Sequence, residues 1–252
     1  MNMLQDIKLM IAGEYGLVVE LGAVISPEVN ALVLQLTRLL TDNNRQGILE
    51  IVPTYRSVAV YFDPLTLTRE ELTKLIRQFL GQLKPMETEC VPARVVYVPV
   101  CYGGVLGPDL EFVAKYIGLP VREVIAAHTA KPYLVYMLGF TPGFPYLGGL
   151  PEQLVVPRQE TPRNQVPAGS VGIGGNQTGF YPIESPGEWW LIGRTPLKAF
   201  DPNRSNPFLV AAGDYVQFVD IGIDEYFTIR REVAAGLYTL QVGHLGQGGE
   251  GH

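Results

Sequence analysis

Two cysteines, three histidines and a charged fraction of 17% are scant provision for a chain of 252 residues, and each shortage excludes something. Cys90 and Cys101 stand eleven apart, which is neither a zinc nor a thioredoxin spacing. They read as two buried or half-buried thiols in a reducing compartment. No His-Glu-x-x-His run and no Cys/His cluster occurs, so a protein-held metal is not expected. The net charge is −6, and no run of Lys or Arg is long enough to lay down a phosphate-binding stripe. Nucleic acid and anionic membrane are therefore poor partners. Met1 to Leu9 lacks the pattern of a signal peptide, and no apolar run approaches the roughly 18 residues of a membrane span. The expected location is cytoplasmic. The low charge fraction fits a surface partly covered by a partner, and fits a compact, well-buried monomer equally.

Glycine and proline, in contrast, are concentrated. Of the 58 residues from Gly139 to Pro196, 20 are Gly or Pro, against 28 of the other 194. Such a share without a repeat usually signals disorder. Here both tryptophans, two tyrosines and three phenylalanines lie in the same stretch, which argues for tightly wound β structure.

The remainder reads as two halves. In residues 1–85, Ile7–Ala12 and Leu17–Gly22 are strand-like runs split by the four-residue turn Gly13–Gly16. Ser26-Pro27 starts a helix, with Leu32, Val33, Leu36, Leu39 and Leu40 as its apolar stripe. Ile48–Val52 and Ser57–Phe62 form a second strand pair. Thr68-Arg69-Glu70-Glu71 is a capping box ahead of the stripe Leu72, Leu75, Ile76, Phe79 and Leu80. The order ββαββα suggests an α+β protein that opens with a ferredoxin-like α/β sandwich. Gln82–Pro92 is the linker candidate. Residues 93–242 carry a strand at Val95–Val100, short helices at Pro108–Ile117 and Pro120–Ala127, strands at Tyr133–Leu138 and Tyr215–Ile221, and a helix at Asp224–Ala235. Many short strands with frequent turns suggest a closed β-barrel. Residues 243–252 read as a Gly-rich mobile tail.

Several long words recur in a fixed order: Gly139-Phe140-Thr141-Pro142-Gly143-Phe144-Pro145-Tyr146-Leu147, Pro157-Arg158, Pro162-Arg163, Val166-Pro167-Ala168-Gly169-Ser170-Val171, Tyr181-Pro182 and Gly193-Arg194-Thr195-Pro196. In these words the chain resembles the 5-oxoprolinase B-subunit family, also called allophanate hydrolase subunit 1, which includes a sporulation kinase inhibitor. Glu188 departs from the family, which more often has a second Gly after Ser-Pro-Gly. The resemblance implies a cyclophilin-like barrel for the second half, with no implication of prolyl isomerase activity. It also implies ATP-dependent opening of the 5-oxoproline lactam to glutamate, with ATP as co-substrate, Mg possible in the assembled complex, and the companion A- and C-subunits of 5-oxoprolinase as partners. Inhibition of a sensor histidine kinase and service to a urea-amidolyase-type hydrolase are the alternatives the family leaves open.

Candidate site residues follow from placement around these words. His128, whose spacing to Tyr133 resembles the family pattern His-x4-Tyr, is the catalytic candidate, with a packed structural imidazole as the equal alternative. Arg158, Arg163 and Arg194 are the only basic residues between Gly139 and Pro196, and guanidinium forks bind carboxylate and phosphate. The alternative is that each pairs with Glu152, Glu160, Glu184 or Glu188. Gln177 offers an amide to a lactam. Tyr146, with Phe140, Phe144, Trp189 and Trp190, would line an apolar cleft or a partner surface, or else pack in the core. Neither a nucleotide fingerprint nor a phosphate loop is present around Gly172–Gly175, so ATP would be held elsewhere or jointly with a partner.

Overall fold

The computed structural model describes residues 7–84 and 93–245. The chain divides into two units, Met1–Val91 and Pro92–His252.

In the first unit, β1 (Lys8–Ala12), β2 (Gly16–Glu20), α1 (Pro27–Asn43), β3 (Ile48–Pro53), β4 (Ser57–Phe62) and α2 (Arg69–Leu80) follow one another. The sheet order is β1-β2-β4-β3 and every pairing is antiparallel. Period-2 alternation sends Leu17 and Val19 of β2 and Val58, Val60 and Phe62 of β4 into a core closed by Leu32, Val33, Leu36, Leu72 and Ile76 of the helices. Both helix starts form as their sequences dictate. Ser26 Oγ accepts from the Val29 amide, and Thr68 and Glu71 complete a reciprocal capping box. α1 stops before Gly47, because Asn44 takes the left-handed conformation at φ 46° and caps it. Leu83 is part of this core, and the Gln35 side chain holds the Lys84 backbone on both sides. The expected linker therefore cannot begin at Gln82; its residues 85–92 lie outside the described residues.

The second unit is built from β5 (Arg94–Tyr102), α3 (Leu110–Ile117), α4 (Val121–Thr129), β6 (Tyr133–Leu138), β7 (Pro145–Gly148), β8 (Arg163–Val166), β9 (Ser170–Gly174), β10 (Gln177–Phe180), β11 (Ser185–Gly187), β12 (Trp190–Arg194), β13 (Tyr215–Asp220), α5 (Ile223–Ala235) and β14 (Val242–His244). Seven strands close on themselves in the order β5-β13-β6-β7-β10-β9-β12, with β12 returning to β5 at Cys101 and Tyr102. β13 lies parallel to β5; the other ring pairings are antiparallel. Val96, Val98, Val100, Val135, Val171, Ile173, Ile192 and Phe218 fill the interior. β8 and β11 form a separate two-stranded ribbon. The tail reading requires correction at its start: Val242–His244 pair with Arg94–Val96 of β5, because β5 is longer than its ring partners need and leaves its N-terminal edge to be covered. Residues 246–252 lie outside the described residues.

Candidate functional site

The Gly/Pro-rich stretch is a bed for aromatic rings. A Cβ at Gly174 would stand 2.3 Å from Trp189 Cδ1, and one at Gly172 or Gly179 would stand 3.2 Å from atoms of Trp189. Strands β9 and β10 are thus bare where the indole lies on them. Phe144, Tyr181, Trp189, Val166 and Leu191 form a small core of their own. The rings of Tyr146, Tyr181 and Trp189 each stand 5.4 Å from Phe144 in T-shaped contacts. The Gly139–Phe144 loop is closed by backbone bonds between Gly139 and Phe144 and between Thr141 and Phe144. At its tip Phe140 sits at φ 63°, an uncommon conformation for an aromatic residue. That conformation presents an exposed ring at 5.7 Å from Phe144.

These aromatics wall a cleft of about 250 Å³, completed by Arg158, Glu188 and Pro186-Gly187 of β11. Arg158 Nη1 donates to Glu188 Oε1, and its Nη2 donates to Gln177 Oε1 at 2.8 Å. Both ends of the ion pair are substantially exposed, at 47% and 38% of the side chain. Such a pair contributes little stability, about 0–1 kcal/mol, so a competing carboxylate can displace it. Burial pushes the Tyr181 hydroxyl up to about 12, against a smaller opposing effect of its hydrogen bond to Trp189. It therefore stays protonated near neutrality. The cleft combines apolar walls, one exchangeable guanidinium that a neighbouring amide, Gln177, also holds, and a phenol. It suits a small, flat, singly charged molecule.

Of the six residues singled out from sequence, Tyr146 and Arg158 line this cleft, and Gln177 is tied to it through its hydrogen bond with Arg158. Arg163 lies elsewhere in function. Its Nη2 donates to Asp109 Oδ1 at 2.7 Å and its Nη1 to the Trp189 carbonyl at 3.3 Å, while Asp109 Oδ2 accepts from the Leu191 amide at 2.7 Å. Asp109 is buried, so Arg163 neutralises a carboxylate that ties the start of α3 to β12. That partner is none of the four glutamates the sequence offers nearby. Arg194 lines a different pocket, with Lys198 and Arg230. Trp190 leaves the cleft altogether and stacks on Phe112 with ring centres 4.1 Å apart.

Of the two roles open to His128, the geometry matches the packed structural imidazole. It is completely buried, and both ring nitrogens are bonded at 2.7 Å, Nδ1 to Tyr102 Oη and Nε2 to Thr178 Oγ1. Thr178 Oγ1 gives its own proton to the Gly172 carbonyl at 3.0 Å, so it accepts from Nε2–H. Nδ1 then accepts from the Tyr102 hydroxyl. A neutral imidazole of one tautomer results. Its ring stacks on Phe218 with centres 4.7 Å apart, and its backbone carbonyl accepts from Tyr133 Oη at 2.8 Å. Burial drives its pKa down to about 3. Buried, with both ring nitrogens bonded and outside the cleft lining, His128 braces the barrel. Among the described residues no three His, Cys, Asp or Glu side chains gather as a metal site, and no helix is long and apolar enough to cross a membrane.

A closed seven-strand barrel in one unit and a small antiparallel sheet in the other, with these words of sequence lining the barrel unit's cleft, define a class. The chain belongs to the carboxyltransferase domain family, subdomains C and D, matched over residues 7–210. Within it the chain is a member of the 5-oxoprolinase B-subunit group. It is 40% identical over 230 residues to the 5-oxoprolinase B-subunit of Bacillus subtilis, covering 87% of this chain and 95% of that one. It is 41% identical over 217 residues to the protein of the same name from Escherichia coli O157:H7, covering 86% and 97%. Among solved structures, TTHA0988 superposes with a TM-score of 0.73 at 38% identity, over 82% of this chain and 40% of that longer one. The Kluyveromyces lactis urea amidolyase shares the fold, with a TM-score of 0.79 at 20% identity over 94% of this chain and 16% of that one.

Proposed function

We infer that this chain is the B-subunit of an ATP-dependent 5-oxoprolinase, which opens the lactam of 5-oxoproline to glutamate together with its A and C companions. The carrying observation is the identity of 40% and 41% along nearly the whole length of two proteins named as 5-oxoprolinase B-subunits. In TTHA0988 the matched part is 40% of a longer chain, which supports a unit that works beside another.

The aromatic cleft is the proposed seat of the lactam. Its ring would lie against Phe144, Tyr146 and Trp189. The single carboxylate of 5-oxoproline would take Arg158 from Glu188, forming a bidentate pair at small net cost because the resident pair is exposed. Gln177 can meet the lactam N–H or carbonyl, and the protonated Tyr181 hydroxyl can donate to the carbonyl oxygen. A lactam amide is a poor electrophile. Transfer of the γ-phosphoryl of ATP to its oxygen, with ADP leaving, would make the ring carbon open to water; the C–N bond then breaks to leave the amine and an acyl phosphate, and a second water releases phosphate and the glutamate carboxylate. This chain supplies binding, orientation and exclusion of water; we assign nucleotide handling, with any Mg it requires, to the assembled complex. The ferredoxin-like description of the first unit belongs to the same reading. It is supported by the order β1-β2-β4-β3 with both helices on one core, as the cyclophilin-like description is by the closed ring of strands.

The test is reconstitution. The purified chain, alone and with its A and C companions, is given ATP and 5-oxoproline, and glutamate is measured. Glutamate should form only with the companions present. Turnover by the chain alone would refute the division of labour. A complete set without turnover, in which the chain blocks autophosphorylation of a sensor kinase, would refute the reading itself.

A further inference from the structure

A second pocket of about 250 Å³ lies wholly within the second unit, between the end of β12, the turn at Ala168-Gly169 and α5. Its lining includes Arg194, Lys198 and Arg230 and, among the described residues, no carboxylate. This stands out in a chain with 25 Asp and Glu against 19 Lys and Arg. Arg194 Nε donates to the Ala168 carbonyl at 2.8 Å, which orients the guanidinium, while no described residue bonds its two Nη nitrogens. Lys198 Nζ stands 3.5 Å from Asp201 Oδ2, but Arg204 reaches the same oxygen at 3.8 Å. One carboxylate thus serves two cations. Arg230 has no described acidic partner. Three cations facing one gap repel one another unless a polyvalent anion enters, and two forked guanidinium groups plus an ammonium match the oxygens of a phosphoryl group. The volume falls below the roughly 300–1,000 Å³ of a pocket that encloses a whole drug-sized ligand. It accommodates a phosphate-sized group and leaves any larger moiety outside.

We propose that this pocket binds a phosphoryl group through Arg194, Lys198 and Arg230. The site is separate from the aromatic cleft and its occupancy is measured without turnover, so it stands or falls independently of the lactam reading. Two sources share this chemistry: free inorganic phosphate, and the terminal phosphates of a nucleotide.

The experiment is calorimetric titration of the full chain with inorganic phosphate, with ATP, and with glutamate as a carboxylate control, at constant ionic strength. Phosphate should bind more tightly than glutamate. Arg194→Gln combined with Arg230→Gln should weaken phosphate binding by about tenfold or more. If the double variant fails to fold, Arg230→Gln alone, on an exposed helix position, should still weaken it severalfold with an unchanged melting temperature. ATP binding more tightly than phosphate, and losing affinity in the same variants, would identify the nucleotide as source; phosphate binding as tightly as ATP would identify the free ion. Phosphate binding no tighter than glutamate, or binding unaffected by the variants, would overturn the proposal.

Discussion

Gly174 leaves its side-chain position to Trp189: a Cβ there would stand 2.3 Å from the indole Cδ1. No real contact of that kind exists, so the ring would have to move. Trp189 is buried and part of the cleft wall. Gly174→Ala should therefore cost about 1–3 kcal/mol through overpacking, a melting-temperature fall of very roughly 2–10 °C at this size, together with altered tryptophan emission. Gly81→Ala is the control, since a Cβ at that position meets only ordinary contacts at 3.5 Å and beyond. An equal loss in both variants would show that the glycine bed has no special relation to the indole.

The buried imidazole makes a pH prediction. His128 titrates near 3 in the fold instead of at its ordinary 6.5, because burial disfavours the charged ring. The unfolded chain binds the extra proton between these values. Its stabilising effect is complete above about pH 6.5 and is lost progressively as pH falls toward about 3, with a slope approaching 1.4 kcal/mol per pH unit. Urea unfolding at about pH 8, 6 and 5 should show the decline, and His128→Asn should flatten it while lowering stability at the highest pH. A pH slope that survives in His128→Asn would assign the effect to another group.

Arg163 and Asp109 separate structure from function. Arg163→Met leaves a buried carboxylate without its charged partner, and loss of such a hydrogen bond costs about 1.5–3 kcal/mol. Thermal denaturation should show the lower stability, while KM for 5-oxoproline in the assembled enzyme stays unchanged. A raised KM with an unaltered melting temperature would return Arg163 to the substrate site.

Legibility of this fold follows the range of the interactions. Caps at Ser26 and Thr68 and the leucine stripes of α1 and α2 act within a few residues, and they are readable from sequence. Asp109 lies 54 residues from Arg163 and Thr178 lies 50 from His128, so no local pattern announces either pair. The words around Arg158 and Tyr146 fall on the lining of the cleft. Tyr181, which also lines it, stands out in sequence only as half of a Tyr-Pro word, whereas Glu188 is marked both by its departure from the family pattern and as one of the glutamates offered to the arginines, of which Arg158 takes it. Concentrated Gly with aromatics announces tight β structure, but which glycine makes room for which ring is a property of space alone. Gly243 and His244 read as tail because the glycine masks the end of a short strand that covers the edge of β5.

In the proposed binding mode, Glu188 competes with the substrate carboxylate for Arg158. Glu188→Gln removes the charge that competes for Arg158, so KM for 5-oxoproline should fall severalfold in the assembled enzyme, with little change in stability because the pair is exposed. An unchanged KM would mean that Arg158 is already free to meet the substrate, or never meets it.

The most direct measurement is kcat/KM for 5-oxoproline in the reconstituted enzyme carrying Arg158→Gln in this chain, alongside its melting temperature. If the aromatic cleft of this chain holds the lactam carboxylate, the loss of a charge-assisted bond of about 1.5–3 kcal/mol should lower kcat/KM by about tenfold or more, chiefly through KM, with the melting temperature nearly unchanged. A variant that assembles, melts and turns over 5-oxoproline as the parent does would contradict the account.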